Sequence, residues 1–360
     1  MAGIVSDAHP LERGGELAAA IAVESKETIE SMKPFLSLTV RGQARRLRRL
    51  AIHALASYDL DVARLRLITN DVNGIFRIDA EDGRRFILRV TAPEGGHTLD
   101  HVTAEMDWLA ALARDTDLSV PHPLRARNGS FVVTAEADGV PEPRLCEVFS
   151  WVGGRNLADN MTEGNIARLG ELSARLHAHA LSYRPPAHLS LLRFDRVFPF
   201  PEPVVLFEQR FSELFPPRRK AVYQKAMDWV QESVDRLKAC GEPMRILHGD
   251  LHQWNVRVTH KSLSPIDFED LMLGWPVQDI ATTLYYFPGD HFSAMRAAFQ
   301  AGYTRCSPWP ERCPGEIDSF IAARGIGLAN LVLNEPNIAA RVDPAKFVER
   351  IEKRLRRLME

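Results

Sequence analysis

The chain has little cysteine. Cys146, Cys240, Cys306 and Cys313 are scattered through 360 residues, form no CxxC pair, and have no histidine at metal-ligand spacing near Cys306 and Cys313. That scarcity excludes a disulfide framework and leaves reduced, mostly structural thiols. Long apolar runs are also missing: no stretch approaches the roughly 18–20 apolar residues of a membrane span. Met1 to Leu17 lacks a basic segment followed by an apolar core, so no signal peptide is expected. A cytoplasmic protein without a membrane partner is the expectation. Net charge is only -2, which supplies no global field for nucleic acid, and none is expected as a partner. The one basic run, Arg41, Arg45, Arg46, Arg48 and Arg49, has no interleaved aromatic residue. It reads as the solvated face of a helix whose apolar stripe is Leu47, Leu50, Ala51 and Ala54. Internal repeats and low-complexity tracts are absent, and no feature specifies an oligomeric state.

What is present is ordinary globular material, 45% hydrophobic and 26% charged, in a length that usually divides into two lobes. Residues 1–37 are weakly patterned and read as an N-terminal extension of uncertain order. Helical spacing predicts a helix from about Arg41 to Ser57. From Leu65 to Val90 the pattern becomes that of strands. The runs Leu65–Ile68, Ile75–Ile78 and Arg85–Val90 are divided by turns at Asn70–Gly74 and Glu81–Gly83, as in antiparallel hairpins. A helix over Thr98–Arg114 should carry Glu105 near its middle, with strands around Phe131–Val133 and Cys146–Phe149 after it. Beyond Gly153-Gly154 helices dominate. One is marked by Ile166, Leu169, Leu172 and Leu176, and another by Val222, Ala226, Val230, Val234 and Leu237, closed by Gly241. A last helix has Asp343 as N-cap and Pro344 in its first turn. The fold class is α+β, with a β-rich N-lobe over 38–149 and a mostly helical C-lobe over 150–360.

The most informative stretch is Leu247–Asn255 (LHGDLHQWN), followed by Ile266–Asp270 (IDFED). It sets a carboxylate at Asp250, an amide five residues later at Asn255, and a second carboxylate twelve residues beyond at Asp267. Phosphoryl transfer from ATP needs such a set. One carboxylate must orient and deprotonate the accepting hydroxyl, while an amide oxygen and a second carboxylate hold the magnesium that bridges the phosphates. Protein kinases write it H-R-D-x-x-x-x-N followed by D-F-G. Here it reads H-G-D-x-x-x-x-N followed by D-F-E.

On these segments, with Val148–Leu157 (VFSWVGGRNL) and Leu169–His177 (LGELSARLH), the chain resembles the aminoglycoside phosphotransferase and choline kinase-like family from about residue 45 to 340. The resemblance implies a bilobal protein-kinase-like fold, ATP and Mg2+ as cofactors, and a hydroxyl of a small molecule as acceptor. It makes Asp250 the catalytic base and Asn255 and Asp267 the magnesium ligands. His248 is expected to buttress the loop by hydrogen bonding, and His252 is open between structural, substrate-side and catalytic roles. Arg89 stands at the end of a strand where protein kinases carry lysine, and would neutralise the ATP phosphates, positioned by Glu105. The alternatives are a surface arginine and, for the carboxylate, Glu94, Asp100 or Asp107. The Asn70–Gly74 turn sits where a glycine-rich phosphate loop belongs but holds a single glycine. Its expected donors are the backbone amides of Val72 to Ile75 and the side chain of Asn73. Backbone groups of Ser150 and Val152 would bind adenine, and Trp151 between them either stacks on the cofactor or packs in the core.

Three departures sharpen the reading. Gly249 takes the place of the arginine that pairs with a phosphorylated loop in switched protein kinases. No A-P-E follows Asp267, and Glu269 replaces the permissive glycine of D-F-G. Asp279 is expected to anchor the catalytic loop. Together these favour a constitutively competent small-molecule kinase. A protein Ser/Thr kinase, a homoserine-kinase-like enzyme and a non-catalytic nucleotide-binding scaffold are the alternatives. Acceptor choice is expected from Leu191–Pro217 and the helices after Asp279. The stretch Arg193–Phe200 is read as packing, and Glu269, Asp270 and Asp290 as an acidic side suited to a cation.

Overall fold

A computed structural model describes residues 33–70, 72–92, 97–260, 262–339 and 341–360. The first 32 residues of the expected extension, Asp71 of the first turn and Glu94 lie outside them. Helix α1 (Val40–Leu55) begins at Thr39, whose side chain accepts from the Gly42 N–H at 3.2 Å and satisfies a donor that a helix start leaves open. Its stripe of Leu47, Leu50, Ala51 and Ala54 is buried as the spacing predicts, in the core beneath the sheet. Arg41, Arg45 and Arg48 are exposed, but Arg46 is not part of the solvated face: it is buried and donates to the Gly139 carbonyl at 2.6 Å.

The strands are β1 (Val62–Asn70), β2 (Gly74–Ala80), β3 (Arg85–Val90), β4 (Pro123–Leu124), β5 (Val132–Ala135) and β6 (Arg144–Ser150). They form one sheet in the order β1-β2-β3-β6-β4, with β5 also on β6, and every pairing is antiparallel. The β3–β6 register sets Arg89 opposite Glu147. Side chains on a strand alternate between faces, so this pair shares the face on which helix α2 (Leu99–Asp115) supplies Glu105. Thr98 caps α2 by accepting from His101 N–H at 3.3 Å. Val102, Met106, Leu109 and Leu112 are its buried stripe, and they join the larger, helical core.

After β7 (Arg155–Asn156) the chain is mostly helical: α3 (Glu163–Ser182), α4 (Pro217–Ala239), α5 (Pro276–Tyr285), α6 (Phe292–Tyr303), α7 (Glu316–Asn334), the short α8 (Pro336–Ala339) and α9 (Pro344–Leu358). Helix α7 is the axis of this part. It buries Ile317, Phe320, Ile321 and Ile326, and α4, α5 and α9 pack around it. Helices α3 and α6 approach so closely that a side chain on Gly170 would strike the Phe299 carbonyl and one on Gly302 the Ala167 carbonyl. Among the described residues no helix is long and apolar enough to cross a membrane.

Short strands carry the functional loops. β8 (Arg245–Leu247) pairs with β11 (Met272–Gly274), and β9 (Val256–Val258) pairs with β10 (Leu263–Pro265) and β7. Residues 248–255 connect β8 to β9, and residues 266–271 connect β10 to β11. These two ladders bring together the motif halves that the sequence separates.

Candidate active site

Gly249 has φ +82°, and a side chain there would collide with the Asp270 carbonyl. Glycine is therefore required by the backbone itself, beyond the loss of an arginine. Asp279, on the first turn of α5, accepts from Gly249 N–H at 2.9 Å and lies 3.0 Å from His177 Nε2, so it anchors the loop as expected. Burial alone would raise Asp279, but His177, His248 and the Gly249 N–H together outweigh it and hold the carboxyl low. His177 in turn reaches Tyr303 Oη at 3.0 Å, which ties the loop to α3 and α6. His248 is fully buried. Its Nδ1 accepts from Asp250 N–H at 3.3 Å, so Nε2 is the atom that donates to the Ile266 carbonyl at 3.1 Å. This buttress joins the two functional loops, and burial lowers the imidazole pKa, keeping the ring neutral.

The Asp250 carboxylate is held from both sides. Arg324 Nη2 on α7 donates to Oδ1, while Asn255 Nδ2 donates to Oδ2 at 3.2 Å and His252 Nε2 lies 3.3 Å from the same oxygen. Burial would raise this carboxyl, but Arg324 and then His252 overcome it and bring the pKa to about 2. Arg324 is fixed by Tyr286 Oη, which accepts from its Nη2 at 2.8 Å. Sequence reading missed Arg324, although a lone cation within the apolar run Phe320–Leu328 was its signal.

Asp267 is the one described non-glycine residue with positive φ, at +64°, a conformation aspartate tolerates better than most residues. Its side chain is open to solvent, yet the residue is densely surrounded by protein. That surrounding, and then Glu269, pushes its carboxyl up to about 7. The Asn255 amide nitrogen also donates to the Asp250 carbonyl at 3.0 Å, which turns Oδ1 away from Asp250. An amide oxygen and a carboxylate crowded by like charge are hard ligands of the kind a divalent cation takes. Among the described residues no three His, Cys, Asp or Glu side chains form a metal site by themselves.

Arg89 is 3% exposed and surrounded by acid. Its Nη1 donates to Glu105 Oε1 at 3.1 Å and its Nη2 to Glu105 Oε2, its Nε donates to Glu147, and Glu269 Oε2 lies 3.7 Å from Nη1. Glu105 is thus the carboxylate on Arg89, whereas Asp100 accepts from Ser190 N–H at 3.1 Å. Glu147 was not anticipated, because only strand register reveals it. Its burial outweighs Arg89 and raises its pKa to about 7. Asn73 corrects an expectation: its Nδ2 donates to Glu269 Oε2 at 2.5 Å and its Oδ1 accepts from Ala92 N–H at 2.9 Å. Both ends of the amide are engaged, so it bridges two parts of the chain instead of lying free for phosphate. The Ser150 N–H donates to the His122 carbonyl at 2.8 Å and its Oγ accepts from His122 N–H at 2.9 Å; its carbonyl takes no part in this pair. Val152 is half-buried, and among the described residues its backbone has no protein partner. Trp151 is half-buried beneath Arg77, whose guanidinium lies 5.4 Å from the ring centre.

A cavity of about 330 Å³ opens beside Asp250, within the size range of small-molecule sites. Its walls include Phe194, Val197, Phe198 and Phe200, and its polar groups include Asp270, Glu202 and Arg324. The Arg193–Phe200 stretch therefore lines a cavity as well as packing: Phe194 also stands edge-on to Phe320 at 5.8 Å. Asn330 on α7 pins the segment, with Oδ1 accepting from Val205 N–H at 2.8 Å and Nδ2 donating to the Pro203 carbonyl at 2.9 Å. Of the three acids expected here only Asp270 lines the cavity. Glu269 faces Asn73, Asp290 is exposed in a 3-10 turn, and Glu202 is the acid that was missed. Burial, then Asp250, pushes Asp270 up to about 7.

An antiparallel sheet joined to a helical body, with two acidic loops meeting beside a cavity, is the kinase-like arrangement. The chain belongs to the phosphotransferase enzyme family (APH), whose sequence profile matches residues 64–314. It is similar to amicoumacin kinase of Bacillus subtilis (strain 168), 27% identical over 237 residues. That match covers 64% of this chain and 66% of the relative, just under two thirds of its length. Among solved structures it resembles a microcompartment-associated aminopropanol kinase, with a TM-score of 0.70 and 22% identity over 87% of this chain and 97% of that one. It also resembles the amicoumacin kinase hAmiN in complex with AMP-PNP and Ca2+, with a TM-score of 0.68 and 18% identity over 88% of this chain and 96% of that one. These structural likenesses establish the fold.

Proposed function

We propose that this protein is an ATP- and Mg2+-dependent kinase that phosphorylates a hydroxyl of a small, amine-bearing alcohol. The observation that carries the proposal is the Asp250 carboxylate, held by Asn255 and Arg324 at the wall of an acidic, aromatic-lined cavity. Asp250 orients the acceptor hydroxyl and takes its proton. A pKa of about 2 makes it a weak base, which suits a loose transition state in which the attacking oxygen carries little charge until late. Asn255 and Asp267 would hold the divalent cation, which would supply positive charge to neutralise the phosphates. Arg89, fixed by Glu105 and Glu147, supplies a stationary positive charge beside Asp267, and Val152 offers free backbone groups for adenine.

The acceptor class follows from charge. Arg324 is bonded to Asp250, so with Asp270 and Glu202 the described lining carries more acid than base, and a substrate ammonium group would offset the excess. Phe194, Phe198 and Phe200 favour the same cation through their ring faces. The aminopropanol kinase with this fold acts on a molecule of that kind by name. A cavity of about 330 Å³ is of the size that takes a small molecule. The test is a radiolabelled γ-phosphate transfer screen over amino alcohols, neutral sugars, aminoglycosides, macrolides, hydroxy acids and a generic protein substrate. Amine-bearing alcohols should lead, and a preference for anionic acceptors or for the protein would contradict the assignment.

A further inference from the structure

The residue that replaces glycine after Asp267-Phe268 is also the meeting point of three elements from the sheet side. Glu269 Oε2 accepts from Asn73 Nδ2 at 2.5 Å, between residues 196 apart in sequence. The same oxygen lies 3.7 Å from Arg89 Nη1 on β3, and the backbone carbonyl of Glu269 is 2.6 Å from His101 Nε2 on α2. Among the described residues the other polar contacts of the Arg89 guanidinium go to Glu105 and Glu147, and the Phe149 ring lies 5.9 Å from it. A phosphate reaching Arg89 must therefore approach on the face that Glu269 now holds.

We propose that Glu269 stands in for the nucleotide phosphates in the free protein and thereby makes binding selective for the metal complex of the nucleotide. This inference rests on the nucleotide-binding reading above and deepens it. Glu105, Glu147, Glu269 and Asp267 gather around Arg89, the one arginine or lysine among them in the described residues. A bare triphosphate entering that excess of like charge is repelled. A nucleotide arriving with its divalent cation brings the charge that Asp267 and Glu269 lack. Glu269 then leaves Arg89 and Asn73, and the Arg89 guanidinium turns to phosphate. A glycine at this position, as in D-F-G, would provide neither the stand-in nor the discrimination.

Calorimetric titration of the full chain with AMP-PNP, once in EDTA and once in excess Mg2+, tests this. For wild type the dissociation constant in EDTA should greatly exceed that in Mg2+. Glu269→Gln should narrow their ratio by about tenfold or more, through tighter binding of the metal-free analogue. Asn73→Ala keeps the charge but removes the tether, so the Mg2+ complex should bind more tightly and the ratio should widen. An unchanged ratio in Glu269→Gln at wild-type melting temperature overturns the inference, as does a parallel shift of both constants. Should Glu269→Gln be unstable, Asn73→Ala decides, and a ratio that fails to widen overturns it. Binding by wild type with such a null variant leaves the proposed function standing, whereas no binding of the Mg2+ complex by wild type contradicts that function itself.

Discussion

At the scale of single residues, the site balances acids against very few cations. Asp250, Asn255 and Asp267 were legible because their spacing is chemical. Arg324, Glu147 and Glu202 were not, since each meets its partner only through packing or strand register. Two predictions belong here. Arg324→Gln frees the Asp250 carboxylate to rotate, so kcat should fall by about tenfold or more while the KM for nucleotide stays within a few-fold. Steady-state kinetics checks the split, and a change confined to KM would count against positioning of Asp250. Glu147, Glu269 and Asp270 have folded pKa values near 7, above the usual carboxylate value of about 4. The native state therefore holds more protons than the unfolded chain between these limits, and their contribution to stability is lost as pH rises from about 4 through about 7. Asp267 is open to solvent, so its share is screened. A divalent cation pairs with the ionised forms, so the gain in Tm from Mg2+ should be larger at pH 8 than at pH 5. An equal gain at both would contradict the placement of the cation among these acids.

At the scale of elements, most boundaries followed from period and caps. The predicted Thr98–Arg114 helix is α2 with Thr98 as its cap, and Asp343 caps α9 by accepting from Ala345 and Lys346 N–H. The segment between α3 and α4 was readable only as a region, because its course is set by long-range anchors such as Asn330 to Val205 and Pro203. Thr98→Ala should cost about 1 kcal/mol of stability by loss of the cap. Gly302→Ala should cost more, about 1–3 kcal/mol or above, because the new methyl meets the backbone of α3. Chemical denaturation measures both. A neutral Gly302→Ala would mean that α3 and α6 separate without penalty.

At the scale of the molecule, the α+β, kinase-like organisation was legible from the switch of period near Gly153-Gly154. The proposed division between lobes at 149–150 falls at the end of β6. What the sequence could not convey is how firmly the two parts are joined: the clasp of Asn73, Arg89 and His101 on Glu269 spans them, and nothing local in any of those residues announces it. The departures from the protein-kinase pattern take on structural meaning here as well, since Gly249 is demanded by the Asp270 backbone and Glu269 by the clasp. The central claim is that Asp250 receives the acceptor's proton in phosphoryl transfer from ATP. The most direct measurement is the rate of γ-phosphoryl transfer to the leading acceptor by Asp250→Ala, with AMP-PNP affinity determined on the same protein. The account predicts a loss of about 10²–10⁴-fold in kcat with Mg2+–nucleotide affinity retained within a few-fold. Turnover comparable to wild type would contradict it.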